Sequence, residues 1–414
     1  MNRRAFLTSA LAAALTAGCG FSTVRPPDAR RAAGVDRSAV DPVVPTAPVV
    51  DGLVAFGSDL GRALADPMTN LVFSPASIGF AFGMVRAGAR GATADQIDAA
   101  FRFPPTGPHA PLNTIAQAVV TPNGLAGRPG RPAVSVANGL FAQHGLPIAE
   151  AFLRTLAGDY GAGVADVDFS SPAAAEQINA WVRAQTAERI DKLFDKIAPD
   201  TLLVLANAIY LKADWQVPFD GESTTDATFT RADRSTVLVP TMRKFGESMS
   251  YASAPGWQAV ELPYAGDELV MWVLVPTGHT PAVDLLAPPT LAAVRTGLVP
   301  TPVALTLPRW DFATDVKLVE QMRKLGVEVP FSSAADFSGI TDGVFISAAM
   351  HRANITVNET GTEAAAVTGI GAAGSGPPEP QAEVRADHPF AFSIVHKPTG
   401  TPLFNGVVAD PAAR

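Results

Sequence analysis

Six histidines, one cysteine and scattered serines and aspartates are the residues of this 414-residue chain that could carry covalent chemistry. A Ser-His-Asp hydrolase needs its serine raised on a sharp turn beside a base, and no Gly-x-Ser-x-Gly elbow flanks a strand pattern here. Spacings that gather metal ligands are absent too. The chain is therefore read as something other than an enzyme, with neither metal nor cofactor. One stretch could instead receive chemistry: "NETGTEAAAVTGIGAAGSGPPEP", Asn358 to Pro380, lies between two strand-like segments, "HRANITV" and "HPFAFSIVHKP". A loop of about twenty residues without structure of its own is uncommon in a compact domain and is either functional or disordered.

The elements that must hold this loop are partly readable. In "NLVFSPASIGFAFGMVRAGARG" a short strand leads to Ser74 as N-cap, Pro75 in the first helical position and an apolar face of Ile78, Ala81, Phe82 and Val85. Gly88 and Gly91 mark the end of that helix. "EQINAWVRAQTAERI" places Ile178, Trp181, Val182 and Gln185 at helical spacing. "TLLVLANAIYLKADW" is almost continuously apolar, as a central strand covered on both faces should be, so Asn207 within it must find buried partners. Further strands are expected in "VLVPTMRKF", "WQAVELPY", "LVMWVLVP" and "VALTLPRWDF", and a helix in "VKLVEQMRKLGV". The order implies an α+β fold with large antiparallel or mixed sheets.

Composition sets the outer limits. Apolar residues are 47% and charged residues 17% of the chain, enough to bury a large core and too little charge for a mainly disordered protein. The formal net charge of -8 disfavours nucleic acid as a partner, because phosphate binding draws on clustered Lys and Arg. "MNRRAFLTSALAAALTAGC" has a basic start, a short apolar run and small residues before a cysteine, the pattern of an export signal over residues 1–18. Leu15 to Cys19 resembles a bacterial lipobox, which implies a lipid on Cys19 and a protein held at the outer face of the cell membrane. The Arg3-Arg4 pair also resembles a twin-arginine signal, and the route of export stays open. Residues 19–48, rich in Pro, Ala, Arg and Asp without hydrophobic periodicity, are expected to form a semi-extended tether. Residues 49–414 read as a single domain.

Several segments in order resemble one family, the serpins, serine protease inhibitors that act as suicide traps. They are "NLVFSPASI", "ANAIYLKADWQVPF", "LTLPRWDF", "LGVEVPFSSAADFSGIT", "HRANITVNETGTEAAA" and "HPFAFSIVHKPTGTPLFNGVVADP", spread from about residue 50 to the end. The resemblance implies three β-sheets, roughly eight to nine helices, a monomer, and an exposed reactive-centre loop over about residues 359–386. Its hinge would comprise Glu359, Gly361, Thr362, Glu363, Ala364, Ala365, Ala366 and Thr368. A buried polar gate, the shutter, would be Ser77, Asn207 and His351, and Trp215 would stand at the breach where the loop first enters the sheet. The family's spacing from Glu359 places the scissile bond between Ser375 and Gly376. The loop runs about three residues longer than usual, so Ala373 and Gly374 stay open as alternatives.

The residues agree with that role. If Thr362 to Ala373 enters a sheet, its side chains alternate, with Thr362, Ala364, Ala366, Thr368, Ile370 and Ala372 on one face and Glu363 on the other. Small residues suit a strand entering a packed sheet, where extra bulk costs roughly 1–3 kcal/mol per site. Val367, bulkier than the family's habit, falls on the face opposite Thr362. No Arg or Lys lies between Glu359 and Arg385, so the implied partner is a serine protease with a small primary pocket, of elastase or subtilisin type. No basic cluster marks residues 100–135, which disfavours glycan activation. Two other readings compete: a non-inhibitory serpin acting as carrier or chaperone, and, further off, a lipid-anchored solute-binding protein.

Overall fold

The computed structural model describes residues 26–121, 132–186, 188–362 and 379–413. Eight α-helices occur among them: α1 (Ala47–Leu64), α2 (Pro75–Arg86), α3 (Gly91–Phe101), α4 (His109–Val119), α5 (Glu150–Thr155), α6 (Ala174–Gln185), α7 (Pro288–Gly297) and α8 (Leu318–Lys324). The strands begin with β1 (Ala29–Arg30), β2 (Leu71–Phe73), β3 (Ala133–Gln143), β4 (Val164–Val167), β5 (Leu203–Asp214) and β6 (Thr225–Thr230). They continue through β7 (Thr236–Ala254), β8 (Trp257–Pro263), β9 (Leu269–Pro276), β10 (Val299–Pro308) and β11 (Trp310–Lys317). The last are β12 (Ile346–Val357), β13 (Gly361–Thr362), β14 (Ala382–Arg385), β15 (Phe390–His396) and β16 (Thr401–Val408).

These strands form two hydrogen-bonded ladders. Sheet A has seven strands in the order β1-β4-β3-β5-β13-β12-β11; the second has nine, β14-β10-β7-β8-β9-β15-β16-β2 with β6 on β7. The second ladder is continuous, its 19-residue β7 pairing with β6 from Thr236 to Thr241, with β10 from Thr241 to Tyr251 and with β8 from Ser250 onward, so the described strands form two ladders where three sheets are expected.

β5 is buried on both faces, as its apolar run requires. Leu203, Leu205, Ile209 and Leu211 point into the main core, whereas Val204, Ala206 and Ala208 face the second cluster, with Ile178 and Val182 of α6. Asn207 shares the first set's parity and is turned toward α2. That helix is buried from Pro75 to Val85, so it presents no polar face and packs as a core helix. Its N-terminus is fixed by Ser74, whose Oγ accepts from the Ser77 amide at 3.0 Å.

The amino-terminal segment departs from expectation. Where composition suggests a semi-extended tether over residues 19–48, the described part, from residue 26, lies against the body. β1 pairs antiparallel with β4, Ala29 opposite Ala165 and Arg30 opposite Val164. Arg30 donates to the Leu146 carbonyl at 2.6 Å and pairs with Asp166 at 2.5 Å. The Ser38 amide donates to Gly158 O at 2.7 Å, and its carbonyl accepts from Asn113 and Gln117 of α4. An exposed sheet edge is a template for any extended chain, and this segment satisfies it.

Candidate functional site

The seam between β5 and β12 organises the site. Below, the two strands pair in parallel from Ile346 opposite Leu203 to Ala353 opposite Ile209. Above Ile209 that ladder stops. At the top β13 lies between them, Gly361 opposite Asp214, and Thr362 opposite both Ala213 and Val357. β13 is antiparallel to both neighbours, so continuing it downward would exchange one parallel ladder for two antiparallel ones, whose hydrogen bonds are better aligned.

A polar row crosses this seam. Asn138 of β3, Asn207 of β5 and His351 of β12 are successive register partners. His351 Nδ1 donates to Asn207 Oδ1, and the Asn207 amide group donates to Asn138 Oδ1, to Ser77 Oγ at 2.7 Å and to Ser77 O at 2.9 Å. His351 Nε2 accepts from the Ser74 amide at 3.0 Å. An imidazole that donates from one nitrogen and accepts at the other is neutral. Complete burial favours that state, pushing the His351 pKa down to about 3. Ser77, Asn207 and His351, expected as a gate, are thus one network, and each buried polar group in it is satisfied. Ser74 and Asn138 belong to it as well. Ser74 is legible only as a helix cap, and Asn138 lies in a strand that gives no polar signal of its own.

A second cluster holds the top of the seam. Asn358 turns the chain back from β12: its Oδ1 accepts from the Thr360 amide at 2.9 Å and from Thr360 Oγ1 at 2.7 Å, and its amide donates to Gly361 O. A Cβ on Gly361 would run into the Ala213 carbonyl and approach Asp214 Cα to 2.8 Å, and its φ of 153° is one that side-chain-bearing residues rarely adopt. Trp215 straps the turn from outside, its amide donating to Thr360 O and its Nε1 to Asn358 O, each at 2.9 Å. Its ring stacks on Tyr264 with centroids 4.4 Å apart and planes 14° apart.

Glu359 is tied to other elements. Its Oε1 accepts from Arg309 Nε at 2.7 Å and from Thr224 Oγ1 at 2.5 Å. Burial pushes its carboxyl up, but the bonds from Thr224 and Arg309 outweigh it and hold the group below the usual range. Thr362 is 1% exposed, and its Oγ1 meets Tyr264 Oη at 2.6 Å. Trp215, Glu359, Gly361 and Thr362 therefore lie together, with Asn358, Tyr264, Arg309 and Thr224, which the sequence does not single out. Glu363, Ala364, Ala365, Ala366, Thr368, Ala373, Gly374, Ser375, Gly376 and Cys19 lie outside the described residues. Beyond them, β14 anchors the far end of the loop in parallel against β10, Ala382 opposite Val303.

This architecture belongs to a known class. The family model described as "Serpin (serine protease inhibitor)" matches residues 51–411, and the chain is a member of the serpin family. It is 36% identical over 380 residues to the leukocyte elastase inhibitor of Bos taurus, covering 86% of this chain and 97% of that protein. It is 34% identical over 373 residues to an uncharacterised serpin-like protein of Thermococcus kodakarensis, covering 88% and 86%. The native-state crystal structure of the thermophilic serpin tengpin superposes with a TM-score of 0.82 at 22% identity, over 93% of this chain and 100% of that one. The serpin fold read from the motifs is thus present. Serpins as a family are inhibitors of serine proteases and not catalysts.

Proposed function

We propose that this serpin is an irreversible inhibitor of a serine protease with a small primary pocket, acting by loop cleavage, acyl-enzyme trapping and loop insertion. The protease serine attacks the scissile carbonyl, at Ser375–Gly376 or at a neighbouring small residue, and forms an ester while the amine of the new C-terminal fragment leaves. Before water cleaves the ester, the freed strand enters between β5 and β12 and draws the protease along, so its oxyanion hole and triad are distorted. The energy comes from the folded inhibitor, which is kinetically trapped above its minimum. The observation that carries this reading is the seating of Gly361 and Thr362 between β5 and β12. A strand already begun there needs only further small residues, and the hinge sequence supplies them.

Export with a lipid on Cys19 completes the proposal and would put the inhibitor at the outer face of the membrane. To test the inhibitory mechanism, a soluble form starting at residue 26 is mixed with an elastase- or subtilisin-type protease and followed by denaturing electrophoresis and mass spectrometry. A covalent complex with release of a short C-terminal fragment is expected. Cleavage that leaves the protease active, with no gain in thermal stability of the cut protein, would replace the inhibitory reading with the carrier or chaperone one. Mass spectrometry of the full chain from membranes tests the lipid: an unmodified Cys19 would refute it.

A further inference from the structure

We propose that Tyr264 is a positioning residue for loop insertion: its hydroxyl supplies the seat that keeps Thr362 between β5 and β12 before any cleavage. The inference deepens the function proposed above and rests on it. Insertion competes with deacylation, so what matters is how soon the freed strand begins to zip. A strand whose first residue is already in register has met the entropic cost of starting, whereas a detached hinge must find the seam again.

Beyond the backbone pairing of Thr362 with Ala213 and Val357, the geometry gives its side chain one anchor, a hydroxyl. Thr362 is 1% exposed, so its Oγ1 needs a partner within the protein, and the partner present is Tyr264 Oη at 2.6 Å. Remove that partner and a buried hydroxyl is left unpaired, a cost met by letting the hinge move out to water. Tyr264 is itself held in place independently of Thr362. Its ring stacks on Trp215, its backbone bridges to Trp215, and its amide donates to Leu269 O at 3.0 Å. Burial raises the phenol pKa far above its ordinary value, so the hydroxyl keeps its proton at any pH the protein meets. The sequence "VELPYAGDEL" gives no hint of this, because Tyr264 lies 98 residues from its partner in the chain.

The test is Tyr264→Phe, which keeps the ring and its stacking, alongside Tyr264→Phe/Thr362→Val, which removes both hydroxyls at nearly constant volume. In hydrogen–deuterium exchange by mass spectrometry, the peptide covering residues 358–362 is expected to exchange faster in Y264F while the strands of the second sheet are unchanged. In titrations against a protease that the parent traps, Y264F is expected to raise the ratio of cleaved to trapped inhibitor about fivefold, the scale of one neutral hydrogen bond. The double variant is expected to return toward the parent ratio, since replacing both partners leaves nothing unpaired. A merely structural role would lower thermal stability without moving that ratio, and would not be rescued by the second substitution. Unchanged exchange and an unchanged ratio in Y264F, with the parent still trapping, overturn this inference alone. Faster exchange in Y264F with no trapping by the parent overturns the inhibitory function and the role of the seat together.

Discussion

His351 and Asn207 face each other across the stretch where β5 and β12 pair directly, and the hydrogen bond from Nδ1 to Oδ1 crosses the line along which the sheet would part. Because the imidazole is buried and neutral, the closed sheet should be sensitive to acid.

The His351 pKa is lowered from 6.5 to about 3, so its contribution to stability is complete above about pH 6.5 and is lost as the pH falls toward 3. The loss is at most about 1.4 kcal/mol per pH unit, one proton's worth. Burial also lowers His109, to about 4, and His396, which adds to the same trend; His388, raised by its bond to Asp387, opposes it. Thermal midpoints at pH 7.5 and pH 5 should therefore differ less in His351→Gln than in the parent. Equal drops would mean that His351 is not the residue taking up the proton.

Asn207→Ala strips His351, Asn138 and Ser77 of a shared partner at once. Denaturant midpoints should report a loss of about 2–4 kcal/mol, more than a surface asparagine costs, because His351 and Ser77 are fully buried. A loss near zero would show that the row does not help to hold the seam closed.

Thr362→Arg forces a charge into a site that is 1% exposed in the native protein. Burying an unpaired guanidinium is prohibitive, so the hinge should leave the seam and the protein should behave as a substrate, cut without trapping. Full inhibition retained by this variant would rule out insertion through Thr362.

Gly361→Ala would drive a methyl group into the Ala213 carbonyl. The turn should open, and residues 358–362 should become accessible to exchange even though Tyr264 is intact. If the alanine variant exchanges like the parent, the backbone there has room that the structure denies it.

Arg30→Ala removes both the bond to Leu146 and the half-buried pair with Asp166. A loss of about 1 kcal/mol is expected, and deletion of residues 26–45 should lower the thermal midpoint further. An unchanged midpoint in the deletion would return this segment to the status of a free tether.

How much of this was legible in the sequence depended on the range of the interactions. α2 announced itself through Ser74 and Pro75, and β5 through its unbroken apolar run, because cap chemistry and two-sided burial leave local marks. The residues expected at the gate and the hinge come from motifs spread along the chain, since nothing local says that Asn207 and His351, 144 residues apart, are register partners. Tyr264 and Asn138 escaped for the same reason: one is an aromatic at the end of a strand, the other an asparagine among apolar neighbours. The pairing of β1 leaves no mark in the sequence, because its two residues carry no periodicity and their order comes from the edge of β4.

The polar row has an uneven architecture that bears on how the sheet can part. Asn207 is bonded to Ser77, and His351 to Ser74, so both banks of the seam are moored to the same end of α2. Parting the strands severs the direct link between the banks but need not cast either adrift at once. On the proposed insertion mechanism the helix would serve as a quay along which one bank slips while the other stays tied, and the passage would widen by steps, without a moment at which every polar group of the row has lost its partner.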